Sequence, residues 1–212
     1  MKSYRALLIA LFSFFFINLN AQVFVGGNVG LNIHNGKTDD GATTTYKASN
    51  YSFSLYPKLG IFLSEKFATG VEFNISLSGQ KTGVNTETIS RSTTIGVVPF
   101  LRYYAINWNK FSVFGQGNIG LDFTNSSEKT EGSTTDGSKT TRLYLNIYPG
   151  LSYNISDKLS FETSLNILSF GYYYYITKDG SLKNKNSSFN MGAGIGDIIS
   201  VSNLTIGAIY KF

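Results

Sequence analysis

Eight segments of the chain alternate between apolar and polar residues with period 2, and the charges inside them all fall on the polar parity. Successive strand residues point to opposite faces, so this pattern predicts strands whose two faces meet different surroundings. QVFVGGNVGLNI places Val23, Val25, Val29, Leu31 and Ile33 on odd positions, and FSLYPKLGIFL places Phe53, Leu55, Leu59, Ile61 and Leu63 there. ATGVEFNISL (68–77), TIGVVPFLRYYA (94–105), FSVFGQGNIGLDF (111–123), LYLNIYPGLSYNI (143–155) and LSFETSLNI (159–167) keep the odd apolar set. The closing LTIGAIYKF switches to even positions, with Leu204, Ile206, Ala208, Tyr210 and Phe212. The opposite parity carries Lys58, Glu72, Arg102, Asp122, Glu162 and Lys211, together with amides such as Asn28, Asn74, Gln116 and Asn118. No helical stripe interrupts this pattern.

A soluble barrel also alternates, with its apolar face inward. Three features predict the reverse, an apolar face toward lipid. The connections alternate in length: SEKF (64–67), INWNK (106–110) and ISDK (155–158) are tight. Residues 35–50, 78–92, 125–140 and the stretch after Tyr175 are read as long polar loops. Short turns at one end and long loops at the other are the habit of outer-membrane barrels. Aromatics gather near the short turns, where Tyr103, Trp108, Phe111, Tyr153, Phe161, Tyr210 and Phe212 form a candidate interfacial girdle. The strands are also about as long as a tilted membrane strand, roughly 9–11 residues. Lipid offers no partner to an unpaired amide, so a spanning sheet must close on itself. The expected architecture is all-β: a closed eight-stranded antiparallel up-and-down transmembrane β-barrel over 22–212, whose last strand pairs with its first.

Composition agrees with strands. Phe contributes 17 residues, Tyr 14 and Gly 22, against only 3 Pro and 15% charged residues. The absence of Cys excludes disulfides, thiolate metal sites, Cys nucleophiles and a lipoprotein-type anchor. Residues 1–21 read as a signal peptide: Lys2 and Arg5 form a basic start, ALLIALFSFFFI (6–17) a short apolar run, and Ala21 a small residue before the cut. The run is too short for a membrane helix. Without Lys2 and Arg5, 16 of the 18 basic residues stand against 13 acidic ones, a net +3 spread along the chain. That balance gives no clustered footprint for nucleic acid.

PFLRYYA (99–105), YPGLSYNISDKLSF (148–161) and GAIYKF (207–212) resemble phrases of the small eight-stranded outer-membrane β-barrel domain family, that of the outer membrane protein A and outer membrane protein X barrels. LTIGAIYKF is similar to the C-terminal signal read by the barrel-assembly machinery of Gram-negative bacteria, with Leu204, Ile206, Ala208, Tyr210 and Phe212 in its places. The resemblance implies an integral outer-membrane protein with periplasmic termini and four outward loops. Its implied partners are outer-membrane lipids, lipopolysaccharide and, during insertion, the assembly machinery. It brings no catalytic motif and no cofactor. Members are structural barrels, narrow channels or adhesins, and a few related barrels are enzymes.

The interior of an eight-stranded barrel is just wide enough for side chains to fill it. Lys58, Glu72, Arg102, Asp122, Glu162 and Lys211 are therefore expected to form a lumen charge network, with Glu72 shared between Lys58 and Arg102. Tyr56, Phe62, Phe100, Phe114, Tyr144 and Tyr148 share their parity. This mixture predicts a plugged lumen and a structural or surface-interaction role; a narrow porin-like channel is the alternative.

Other motifs have plain readings. GQGNIG (115–120) has the spacing of a dinucleotide loop, but strand pattern continues after it where a helix is required. His34, the only histidine, lies at the top of the first strand, where lipid-modifying barrels keep a catalytic His; a solvated residue is the simpler account. Asp-Gly at 40–41, 136–137 and 179–180 reads as turns rather than calcium loops. KDGSLKNK (178–185) reads as a solvated basic loop, with phosphate contact as the alternative. FGYYYYI (170–176) is expected to carry strand seven above the bilayer. Residues 188–198 (SFNMGAGIGDI) are assigned to the upper part of strand eight or to the fourth loop, since bacterial barrels keep an even strand number.

Deleting Phe212 should lower the amount of protein inserted in cells while leaving refolding into detergent nearly unchanged. Quantifying membrane-inserted protein beside the refolded yield checks this, and normal insertion would sink the assembly-signal reading.

Overall fold

The computed structural model describes residues 22–39, 44–83, 87–130, 133–164, 168–193 and 205–212. Residues 1–21, read above as a signal peptide, Leu204 and residues 194–198 lie outside the described residues. The strands are β1 (Gln22–Asp39), β2 (Thr44–Phe62), β3 (Phe67–Thr82), β4 (Thr88–Trp108), β5 (Phe111–Thr130), β6 (Ser133–Asn154), β7 (Leu159–Ser164), β8 (Leu168–Asp179), β9 (Leu182–Ala193) and β10 (Thr205–Lys211).

All pairings are antiparallel, and they close a ring of eight wall positions. β1 to β6 follow in order. The seventh position is shared: β7 pairs with the lower part of β6 from Gly150 to Asn154, and β8 with its upper part from Lys139 to Ile147. The eighth is shared in the same way, with β10 beside β7 and β9 beside β8. The seam runs from Phe24 opposite Lys211 to Val29 opposite Ile206. Phe212 extends it by donating its amide hydrogen to the Val23 carbonyl at 3.0 Å. The expected closure of last strand on first is what the register shows. Residues 188–193 belong to β9, hence to the upper part of the eighth wall position.

The parity reading holds around the wall. Apolar residues of the repeating set face away from the lumen; Leu31 is 71% exposed, Ile95 61% and Ile119 56%. A continuous exterior of this kind has no stable place in water and needs lipid against it. Lys58, Glu72, Arg102, Asp122 and Glu162 are buried on the inside.

The structure departs most from expectation in the long polar loops. Three of them are largely strand: β1 runs on to Asp39 and β2 begins at Thr44, β3 and β4 are separated only by residues 83–87, and β5 and β6 by 131–132. The fourth, KDGSLKNK, is a hairpin that turns at Gly180, whose φ of +55° suits a residue without Cβ. The walls therefore continue beyond the apolar belt as polar ribbons. Paired hydroxyls tie them: Thr94 with Thr124 at 2.8 Å, Ser92 with Ser126 at 2.9 Å and Thr140 with Thr177 at 3.0 Å. These residues carry no apolar face because no lipid touches them, which is why they resemble loops in the sequence.

At the short-turn end the lumen is floored by Phe24, Ala68, Phe100, Tyr104, Phe114 and Ile209, with Phe62 packed against them. The rings need neighbouring strands without side chains. A Cβ on Gly60 would collide with the edge of the Phe24 ring, and one on Gly150 with the edge of the Phe114 ring. Glycine here provides room rather than flexibility.

Candidate functional site

Above the aromatic floor the lumen holds an ionic cluster drawn from four wall positions. Lys58 on β2 lies opposite Glu72 on β3 in the ladder. Its Nζ is 3.4 Å from Glu72 Oε2 and donates to Glu162 Oε1 at 2.5 Å. Arg102 on β4 reaches Glu162 as well, with Nη1 donating to Oε2 at 2.5 Å and Nη2 to Oε1 at 3.4 Å. Glu162, on β7, is thus the shared acceptor, whereas Glu72 contacts Lys58 alone. The expectation that Glu72 joins both cations is corrected: adjacency along the sheet is the only guide that residue order offers, but the lumen is narrow enough for β7 to reach β2 and β4 across it.

Every donor of Arg102 has a partner. Nε donates to Gln116 Oε1 at 2.9 Å, Nη2 to the same oxygen at 2.6 Å, and Nη1 to Tyr104 Oη at 3.1 Å besides Glu162. The guanidinium also lies 4.0 Å from the centroid of the Phe114 ring, so it rests on the aromatic floor. Gln116 passes the chain on, donating from Nε2 to Asn118 Oδ1 at 2.9 Å and to Tyr148 Oη at 2.8 Å. A planar five-donor fork is suited to this site in a way that a lysine ammonium is not. Two cations and two carboxylates cancel, so the cluster carries no net charge. Removing one partner would leave a buried charge uncompensated, at about 3–5 kcal/mol.

Asp122 belongs to a second cluster. It lies opposite Arg142 on β6 and Gly96 on β4. Its Oδ2 accepts from Arg142 Nε at 3.1 Å, from Arg142 Nη2 and from Asn74 Nδ2 at 3.1 Å. Arg142 also covers the Tyr144 ring at 4.8 Å. A Cβ at Gly96 would collide with the Asp122 carboxylate, so this glycine is the space the ion pair occupies. Sequence reasoning misses Arg142 because it precedes the first apolar residue of its strand; its parity, shared with Tyr144, is the available signal.

Lys211 stands apart from both clusters. Its Nζ lies 5.3 Å from the Phe62 ring centroid, beneath the floor, and it makes no ion pair among the described residues. It lines a cavity of about 420 Å³ at the short-turn end, with Tyr104, Asn107 and Asn154. A second cavity, of about 310 Å³, lies at the hairpin end, lined by Asn32, Asn50, Ser52, Ser78, Gln80 and Ser92. The two ionic clusters and the floor lie between them.

The candidate girdle residues form cross-strand contacts at the short-turn end. Phe67 and Tyr103 meet at 4.9 Å, Phe111 and Tyr153 at 4.8 Å, and Tyr153 lies opposite Phe161. Trp108 is paired with Phe111. Ile206, Ala208, Tyr210 and Phe212 share the outer face, where the Tyr210 and Phe212 rings pack edge to face at 5.3 Å. His34 is exposed and has no hydroxyl or carboxylate within hydrogen-bond distance among the described residues. GQGNIG is the middle of β5 with no helix after it, so a dinucleotide loop is not formed.

The family model described as outer membrane protein beta-barrel domain matches residues 6–212. Neisserial surface protein A is similar in structure at 16% identity and a TM-score of 0.37, over 91% of this chain and 96% of that one. A major outer membrane protein from Thermus thermophilus is similar at 13% identity and a TM-score of 0.46, over 91% and 100%. No curated protein matches the sequence.

Glu162→Ala should destabilise the folded protein by about 3–5 kcal/mol, and by more than Glu72→Ala, because it strands two buried cations instead of one. Reversible unfolding in lipid vesicles gives both values. Equal losses would show that Glu162 is not the shared partner.

Proposed function

The chain belongs to the outer membrane protein β-barrel domain family, and on that premise we propose that it is a closed, non-conducting barrel acting through its hairpin end. The observation that carries this reading is the neutral plug in which Arg102 and Glu162 are hydrogen-bonded to one another and to their neighbours. A permeation path needs polar groups that can turn toward a moving ion or water. Here the five donors of Arg102 are committed to protein acceptors, and an aromatic floor lies directly beneath. With the two charge clusters each neutral, the lumen shows, among the described residues, no single-sign ring of the kind that selects ions in charged pores.

The polar ribbons supply the interaction surface. Short turns belong to the periplasmic side of such barrels and longer connections to the outside. On that orientation both ends of the barrel domain face the periplasm, and four hairpins face outward. Extended, paired strands hold their exposed side chains in fixed rows, which suits contact with another surface better than a mobile loop does. The competing reading, a narrow channel, draws on the two polar cavities. Among the described residues no hydroxyl or carboxylate is bonded to His34 to favour a lipid-modifying role there.

Planar-bilayer recording of the purified barrel should give no resolved conductance steps, whereas Arg102→Ala, which removes the centre of the plug, should produce them. Regular steps from the unaltered protein would establish the channel reading instead. Because the chain lacks cysteine, Ser181→Cys and Glu65→Cys report orientation separately. In intact cells an impermeant thiol reagent should label the first and spare the second.

A further inference from the structure

The outer wall made by β6, β8 and β9 ends in a row of lysines. Lys139 of β6 lies opposite Lys178 of β8, and Lys178 opposite Lys183 of β9. Lys185 follows two residues nearer the belt, opposite Ile176. The face is fixed by Tyr173, whose ring stacks on the buried Tyr144 at 5.9 Å; residues of the other parity on β8 look outward. All four lysines are exposed.

Like charges directly opposite on neighbouring strands destabilise a sheet. Ordinarily a carboxylate between them relieves the repulsion. None of the four makes an ion pair among the described residues; Asp179 lies on the other parity, opposite Leu182, and Asp136 of β6 is not bound to them. The position is equally specific. Below the row, past Ile176 opposite Lys185, the same face turns apolar at Leu143 opposite Tyr174, and six residues from Lys178 it carries Tyr172 opposite Phe189, 48% and 68% exposed. The lysines therefore stand where an acyl-chain surface gives way to headgroups.

We propose that this row binds the phosphates of a membrane glycolipid carrying more than one phosphate, in the leaflet at the hairpin end. Adjacent strands are about 4.8 Å apart, so three lysines in register span about 10 Å, wide enough to meet two anionic groups of one headgroup. Chains of that lipid would lie along Tyr172 and Phe189, continuous with the lipid-facing belt. A free phosphate would lack that second contact. The assignment to the outer leaflet rests on the orientation proposed above, but the binding itself does not.

The test uses the folded mature chain in phosphatidylcholine nanodiscs doped with bisphosphorylated lipid A or with its dephosphorylated analogue. Retention is read by native mass spectrometry, and heat-modifiable mobility in SDS verifies folding. The unaltered protein should retain the phosphorylated form preferentially. In K139Q/K178Q/K183Q that retention should fall by about fivefold per lysine removed. Lys158→Gln, at the opposite end, should bind as the unaltered protein does. Equal retention of the two glycolipids, or equal retention by the triple variant, would overturn the proposal. So would full displacement by inorganic phosphate at matched concentration, which would mark a general anion patch. A wrong orientation would appear only in the thiol-labelling experiment and would leave these binding results intact.

Discussion

Backbone hydrogen bonding in lipid governs the rest of this molecule. An amide or carbonyl left unpaired in hydrocarbon costs several kcal/mol, and a sheet edge is a whole row of them. The pairing of β1 with β10 removes that edge from Phe24–Lys211 to Val29–Ile206. Once the ring must close at eight positions, its interior is fixed at about the width of packed side chains. The polar residues that the alternation sends inward then have only one another as partners. A floor of aromatic rings over glycines and a neutral knot of two cations and two carboxylates follow from that confinement.

The knot illustrates why arginine and glutamate are arranged as they are. Desolvating four charges is expensive, and the attraction among them repays it only when every donor is used. Arg102 meets this requirement through Gln116, Tyr104 and Glu162 while its face lies on Phe114. Burial of this kind fixes one arrangement of the strands around it, because any slip in register by one residue turns the charges out toward lipid. Stability and the filling of the lumen are thus properties of the same set of contacts.

The sequence is most legible where lipid imposes a demand. Leu31, Ile95 or Phe123 must be apolar, and so the period of 2, the closure and the buried charges Lys58, Glu72, Arg102, Asp122 and Glu162 can all be read from residue order. It is least legible where that demand stops. Thr88, Ser90 and Ser92 pair as strand with β5, yet nothing apolar marks them, and they read as loop. The choice of Glu162 over Glu72 is hidden for a different reason: it depends on reach across the lumen, which no one-dimensional neighbour relation encodes. Arg142 falls between the two cases, at the point where the apolar pattern begins.

The hydroxyl-paired ribbons have a consequence for how such a protein diversifies. Their pairs, Thr94–Thr124 and Thr140–Thr177 among them, are neutral, small and nearly interchangeable. The seam and the ionic knot lie far below and share no side chain with them. Substitution or lengthening at a ribbon tip therefore alters what the surface presents without disturbing the register that holds the barrel shut, because surface connections tolerate change where few buried contacts depend on them. The molecule separates into a base under strict physical selection and a crown free to vary. With the hairpin end outward, as proposed, that is the arrangement one would choose for grafting a foreign peptide onto a cell surface, and the crown's tips, not its walls, are the places to graft it.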